Sequence, residues 1–190
     1  MKVLDPNTVI ENTLESAFHL KAYTSILDTV RQVPFVATAE FRTTFNGFFR
    51  LRQRPAAWYE QYYKLMEEQK SANRSFKDLL LLLAPVNGTI EVSFASKLLA
   101  AVDPSLPIWD RYVLQNLGLL KRWEKMTGKE NALRIDEACR IYQEIKAWYE
   151  TFVCSEDGKK CIAAFDAALP SYKDKLTAVK KIDYLLWSKR

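Results

Sequence analysis

Apolar residues return at intervals of three and four along almost the whole chain, the spacing of amphipathic helices rather than of strands. Val9, Ile10, Leu14, Ala17 and Phe18 mark a first helix, which Tyr23, Ile26, Leu27 and Val30 continue or follow with a second. Pro34 interrupts the pattern. Phe41, Phe45, Phe48 and Phe49 share one stripe despite Gly47. Pro55 suits the first turn of the next helix, where Trp58, Tyr59, Tyr62, Leu65 and Met66 oppose Glu60, Lys64, Glu67 and Glu68. Ser75 is a candidate cap for a helix through Leu79 to Leu83 that ends near Pro85-Val86-Asn87-Gly88. Two helices then flank a proline-bounded turn around Asp103 to Pro107, the second stopping at Gly118. A long amphipathic helix runs through Ile135, Tyr142, Tyr149 and Phe152, and Ser155 to Gly158 reads as a turn. A shorter helix reaches Pro170, and a last one starts near Lys173.

Five glycines and seven prolines leave little material for the turns of a sandwich or barrel. With 48% apolar residues, 190 residues suffice for one substantial core. The expected architecture is all-α: residues 1–190 as a single compact multi-helix domain, either undivided or as two helical lobes around a cleft. No apolar run is long enough to span a bilayer, and Met1-Lys2-Val3-Leu4-Asp5-Pro6 carries no signal-peptide pattern, so the cytoplasm is the expected compartment and no membrane partner is expected. Cys139, Cys154 and Cys161 form no disulfide framework, and with one histidine, His19, the usual zinc sets cannot be assembled. A four-cysteine iron–sulfur cluster is excluded within one chain, and neither metal nor cofactor is expected. The net charge of +5 is compatible with a nucleic-acid partner without requiring one.

The stretch from Ser93 to Val113 bears most on chemistry. On a helical wheel Val92, Phe94, Ala95, Leu98, Leu99, Ala101 and Val102 cover a broad apolar arc, while Ser93, Ser96, Lys97 and Ala100 share the narrow remaining face. Those small neighbours let a ligand or another backbone approach Lys97; an ordinary solvent face explains the same pattern. Asp110 fits a helix entrance, where its carboxylate would accept backbone N–H groups. Placed inside the helix instead, it would share a face with Val113, Leu114 and Leu117.

This arrangement resembles the helix-hairpin-helix DNA glycosylase superfamily, in particular its 8-oxoguanine DNA glycosylase-like members. Lys97 matches the family's lysine, Pro107-Ile108 its proline-containing turn, and Asp110 with Val113 its aspartate segment. The resemblance implies a DNA glycosylase/AP lyase: Lys97 would attack the sugar C1′, displace the base and form a Schiff base on which β-elimination follows. Asp110 would activate the lysine or stabilise the cationic sugar. A flipped nucleotide would stack on an aromatic group, for which Trp109 is a candidate, as it is for the core. Ser93 and Ser96 would orient the pair or meet the DNA backbone. Ser93-Phe94-Ala95 stands where the family has a Gly-x-Gly hairpin, and the interval between lysine and aspartate is shorter than in familiar members.

Arg50, Arg52 and Arg54 alternate with Leu51 and follow Phe48 and Phe49, a mixture suited to phosphates and stacked bases, or simply to a helix C-terminus. Lys180 and Lys181, with Lys173, Lys175, Lys189 and Arg190, form a second basic group, either a DNA or partner contact or a solvated helix face. Trp58, Tyr59, Tyr62 and Tyr63 have core spacing. The leading expectation is a DNA-binding protein of glycosylase type. The alternative is a non-catalytic helical DNA- or protein-binding module, marked by a hydrated Lys97 and an Asp110 that only caps.

Overall fold

Polar residues in the connections determine where the helices start. The computed structural model describes residues 18–32 and 38–188, and among these all regular structure is helical. The first helix, α1, is Phe18–Arg31 and α2 is Ala39–Phe49, capped by Thr38, whose hydroxyl accepts the Phe41 N–H at 3.2 Å. Pro55 precedes α3, Ala56–Ala72. Ser75 and Asp78 form a reciprocal capping box on α4, Phe76–Asn87, which ends at left-handed Gly88. Helix α5 is Val92–Val102, α6 is Arg111–Asn116 and α7 is Leu120–Glu124. The long α8, Asn131–Cys154, is followed by α9, Glu156–Ala168, a single 3₁₀ turn at Pro170–Tyr172, and α10, Ala178–Ser188. Among the described residues no helix is long and apolar enough to cross a membrane. Val9 to Ala17 of the expected first helix, Pro34, Lys189 and Arg190 lie outside the described residues.

Helix α5 is the centre of the first half, packed against α1, α3 and α4; α8 joins α4 to α9 and α10. Phe45, Trp58, Tyr62 and Tyr63 form an aromatic core beneath α2 and α3, with Trp58 and Tyr62 stacked at 4.9 Å. The small-residue face of α5 is buried as fully as its apolar arc: Ser96 is 0% exposed and Ala100 1%. The solvent-face reading of that face is thereby overturned, because the chain from 103 to 110 folds back over it.

That segment has no helical ladder to satisfy its peptide groups, so side chains from three helices do so. Trp109 N–H donates to Ser96 Oγ at 2.8 Å, and Ser93 Oγ donates to the Trp109 carbonyl at 3.0 Å. Tyr142 of α8 donates to the Pro107 carbonyl at 3.0 Å. Lys180 of α10 donates to the Leu106 carbonyl at 2.6 Å and to Asp183 at 2.5 Å. Asp183 also accepts from Tyr149 at 2.6 Å and from the Ile108 N–H at 3.4 Å. A solvated basic face on the last helix is therefore corrected: Lys180 is fully buried, and Lys181 is 5% exposed and paired with Asp166 at 2.5 Å. Helical spacing could have paired Lys180 with Asp183 three residues on, but the burial of that pair and the Asp166 partner of Lys181 come only from packing.

The expected turn from Ser155 to Gly158 shrinks to one residue. Ser155 ends α8 and caps α9, with its hydroxyl accepting the Gly158 N–H at 3.0 Å. A Cβ on Gly158 would stand 1.8 Å from the Phe152 carbonyl oxygen, so only glycine allows two helices to meet so closely. Gly158→Ala is expected to lower unfolding stability by ~3 kcal/mol, measured by urea denaturation. Lys180→Met, which leaves Asp183 a buried carboxylate without its cation, is expected to cost ~3–5 kcal/mol at neutral pH in the same assay.

Candidate functional site

A cavity of about 280 Å³ opens between the two halves of the chain. Tyr23 of α1, Phe48, Phe49 and Arg50 at the end of α2, and Phe94 and Lys97 of α5 form one wall. Ile108, Asp110, Tyr112 and Val113 form another, and Asp183, Tyr184 and Trp187 of α10 complete it. Its surface is largely aromatic with a few convergent charges, the composition of a small-molecule or nucleobase site.

Lys97 is the lysine of the cavity wall. It is 9% exposed; its Nζ lies 3.4 Å from the Phe49 carbonyl oxygen and 4.9 Å from the centre of the Phe94 ring. Burial pushes its pKa down from 10.5 to about 8, Asp110 opposes that shift, and Arg50 adds to it. A lysine so placed carries an appreciable fraction of neutral, nucleophilic amine near physiological pH. The aromatic rings provide the low-polarity surroundings and interact weakly with the ammonium form.

Asp110 is the N-cap of α6, accepting the Tyr112 N–H at 2.8 Å, and it lines the cavity as well. The helix-interior placement is excluded. No ion pair joins Asp110 to Lys97. The carboxylate acts on the amine through space, keeping its pKa higher than burial alone would. Capping and facing the cavity are thus simultaneous properties of one residue.

The other candidate residues separate. Trp109 is 2% exposed, lies roughly parallel to Phe76 at 6.3 Å and meets Trp123 edge-on at 5.2 Å, so it belongs to the core and not to the cavity wall. Ser93 and Ser96 are spent on the Trp109 peptide. Arg54 forms a two-pronged pair with Glu91 at 2.6 and 3.1 Å and packs over Phe94. Arg52 is exposed away from the cavity lining, while Arg50 is exposed and lines it. The three arginines are therefore not one patch, because the left-handed backbone at Arg50 and Gln53 turns the strand of chain between them.

Sequence reasoning missed Tyr23, Phe94, Asp183, Tyr184 and Trp187 as cavity residues. Tyr23 and Phe94 have the spacing of core stripes, and only the tertiary arrangement sets them across a cavity from Asp183, Tyr184 and Trp187 of α10. His19 meets Trp187 edge-on at 5.7 Å as part of this aromatic surround. Comparison with protein-family models, with curated proteins and with solved structures finds no match to this chain.

The depressed pKa of Lys97 has a thermodynamic consequence. Below about pH 8 the lysine is charged in both folded and unfolded chains, and its burial costs ~3 kcal/mol. From about 8 to 10.5 the folded state releases the proton first, so stability rises and the cost fades. Lys97→Met is accordingly expected to stabilise the protein by up to ~3 kcal/mol at pH 7, with the advantage shrinking towards pH 10 in denaturation curves.

Proposed function

We propose that this protein binds DNA and processes a damaged or abasic nucleotide with the Lys97 amine as nucleophile, a DNA glycosylase/AP lyase activity. The single observation carrying this reading is a buried lysine with a pKa of about 8 on the wall of an aromatic cavity that also holds Asp110. A non-catalytic module would have a hydrated Lys97, and the burial of Lys97 favours the catalytic reading over it.

In this mechanism the neutral Nζ attacks C1′ of the extruded nucleotide. The base leaves with the bonding electron pair and takes up a proton, and the new C1′–N bond becomes an iminium when the sugar ring opens. Loss of a C2′ proton then expels the 3′ phosphate, and water hydrolyses the imine to return free Lys97. Asp110 stabilises the positive charge that develops on the sugar and the nitrogen. The aromatic walls receive the extruded base and exclude water from the imine.

Borohydride trapping on a panel of damaged and abasic-site DNA tests the reading. The wild-type protein is expected to form a covalent adduct that Lys97→Gln does not form. Trapping should accelerate with rising pH and level off above about 8, the titration of the amine. Asp110→Asn retains a good helix cap and should unfold at nearly the wild-type temperature, yet trap ~10²-fold or more slowly. The absence of an adduct on every substrate would sink the proposal.

A further inference from the structure

Ser93, Ser96 and Trp109 do not line the cavity, yet all three bear on the residue that follows Trp109. Ser96, 0% exposed, accepts the Trp109 N–H at 2.8 Å and donates to the Ser93 carbonyl at 2.9 Å. Ser93 Oγ donates to the Trp109 carbonyl at 3.0 Å. Both backbone polar groups of Trp109 are therefore held by two hydroxyls one helical turn apart on α5. The indole is gripped independently, beside Phe76 of α4 and edge-on to Trp123 of α7. Residue 109 is thus fixed from three helices, and the backbone nitrogen of Asp110 is bonded to the very carbonyl that Ser93 holds.

Lys97 follows Ser96 directly on α5. One short helix carries both the amine and the hydroxyls that place the carboxylate opposite it. The bond from the Tyr112 N–H fixes that carboxylate relative to α6, but not relative to α5. The bonds at Trp109 supply the missing link. We propose that Ser93, Ser96 and Trp109 are positioning residues, which hold the Asp110 carboxylate in place against the Lys97 amine through the backbone of residue 109. The inference rests on the Lys97 reading for what the pair does to a substrate.

This coupling can be read from the lysine itself. The charges acting on Lys97 are Asp110 at the start of α6 and Arg50 at the end of α2. Asp183, also on the cavity wall, is matched by Lys180, and Arg54 by Glu91. Asp110 favours the ammonium form, so displacing its carboxylate lowers the pH at which Lys97 loses its proton. A hydroxyl that only satisfied a buried peptide would leave that pH alone.

Trace labelling with acetic anhydride at a series of pH values, with Lys97 followed by mass spectrometry of its peptide, measures this midpoint without DNA. The wild-type midpoint is expected at about 8. Asp110→Asn should lower it by about half a unit or more, and Ser93→Ala by about half as much in the same direction. Ser93→Ala frees a carbonyl in a half-buried place and leaves the buried Trp109 N–H paired, so the chain still folds. Ser93→Thr keeps the hydroxyl and should restore the wild-type midpoint. In the Asp110→Asn background Ser93→Ala should have no further effect, the mark of an action exerted through that carboxylate. An unchanged midpoint in Ser93→Ala, whatever its unfolding temperature, would make the hydroxyl merely structural and overturn the proposal. So would an equal shift in the Asp110→Asn background, or an Asp110→Asn midpoint equal to that of the wild type. Borohydride trapping on abasic-site DNA reports separately on the lyase reading. The shifts without an adduct keep the positioning and remove the chemistry; an adduct without the shifts does the opposite.

Discussion

The buried ion pair of Lys180 and Asp183 organises the connection that borders the cavity. Lys180 reaches the Leu106 carbonyl and Asp183 the Ile108 N–H, so one pair from α10 satisfies the backbone of a segment that has no secondary structure. Two buried charges are expensive, and each here is matched by its opposite and by neutral hydrogen bonds, the condition under which such a pair is tolerable. Tyr149 adds a third partner to the carboxylate. Through these contacts the chain from 103 to 110 is held against α5, and Asp110 is delivered to the start of α6 facing the cavity.

The same fold-back runs beside Lys97. It covers Ser93 and Ser96 on the narrow face of α5, while the rings of Phe49 and Phe94 and the Phe49 carbonyl surround the Lys97 amine. A solvated lysine would be a permanent cation; this one is close to its titration point. Its burial, the left-handed Arg50 and the Tyr23 hydroxyl, which has no partner among the described residues, all work against stability, and all three residues line one cavity. Strain and desolvation of this kind concentrate where a protein binds or reacts.

How far the sequence could be read varies along the chain. The caps at Ser75 and Asp110 and the apolar stripes were legible, because capping and 3.6-residue periodicity are local properties. Lys97 was legible as a residue set among small neighbours, but not its burial, which depends on Phe49, brought to it from the end of α2. The compressed connection at Ser155 was hidden because a glycine suggests a turn as readily as it suggests close helix packing. Lys180 and Lys181 looked like solvated charges: the i,i+3 spacing of Lys180 and Asp183 is as common on an exposed helix face, and Asp166 is distant in sequence from Lys181. Trp109 suited either a stacking site or the core, and Tyr23 lay on a helical stripe; the fold buries Trp109 in the core and sets Tyr23 on the cavity wall.

By itself, the sequence determined that this chain is helical, where most of its helices begin, and that Lys97 and Asp110 flank one proline-bounded connection. Those properties follow from the nearest few residues. Only the tertiary structure decided that the two residues line one cavity, that the lysine is desolvated, and that Arg50 and Tyr23 belong with them. Desolvation and charge pairing are sums over atoms close in space and distant in sequence, and no local pattern encodes them.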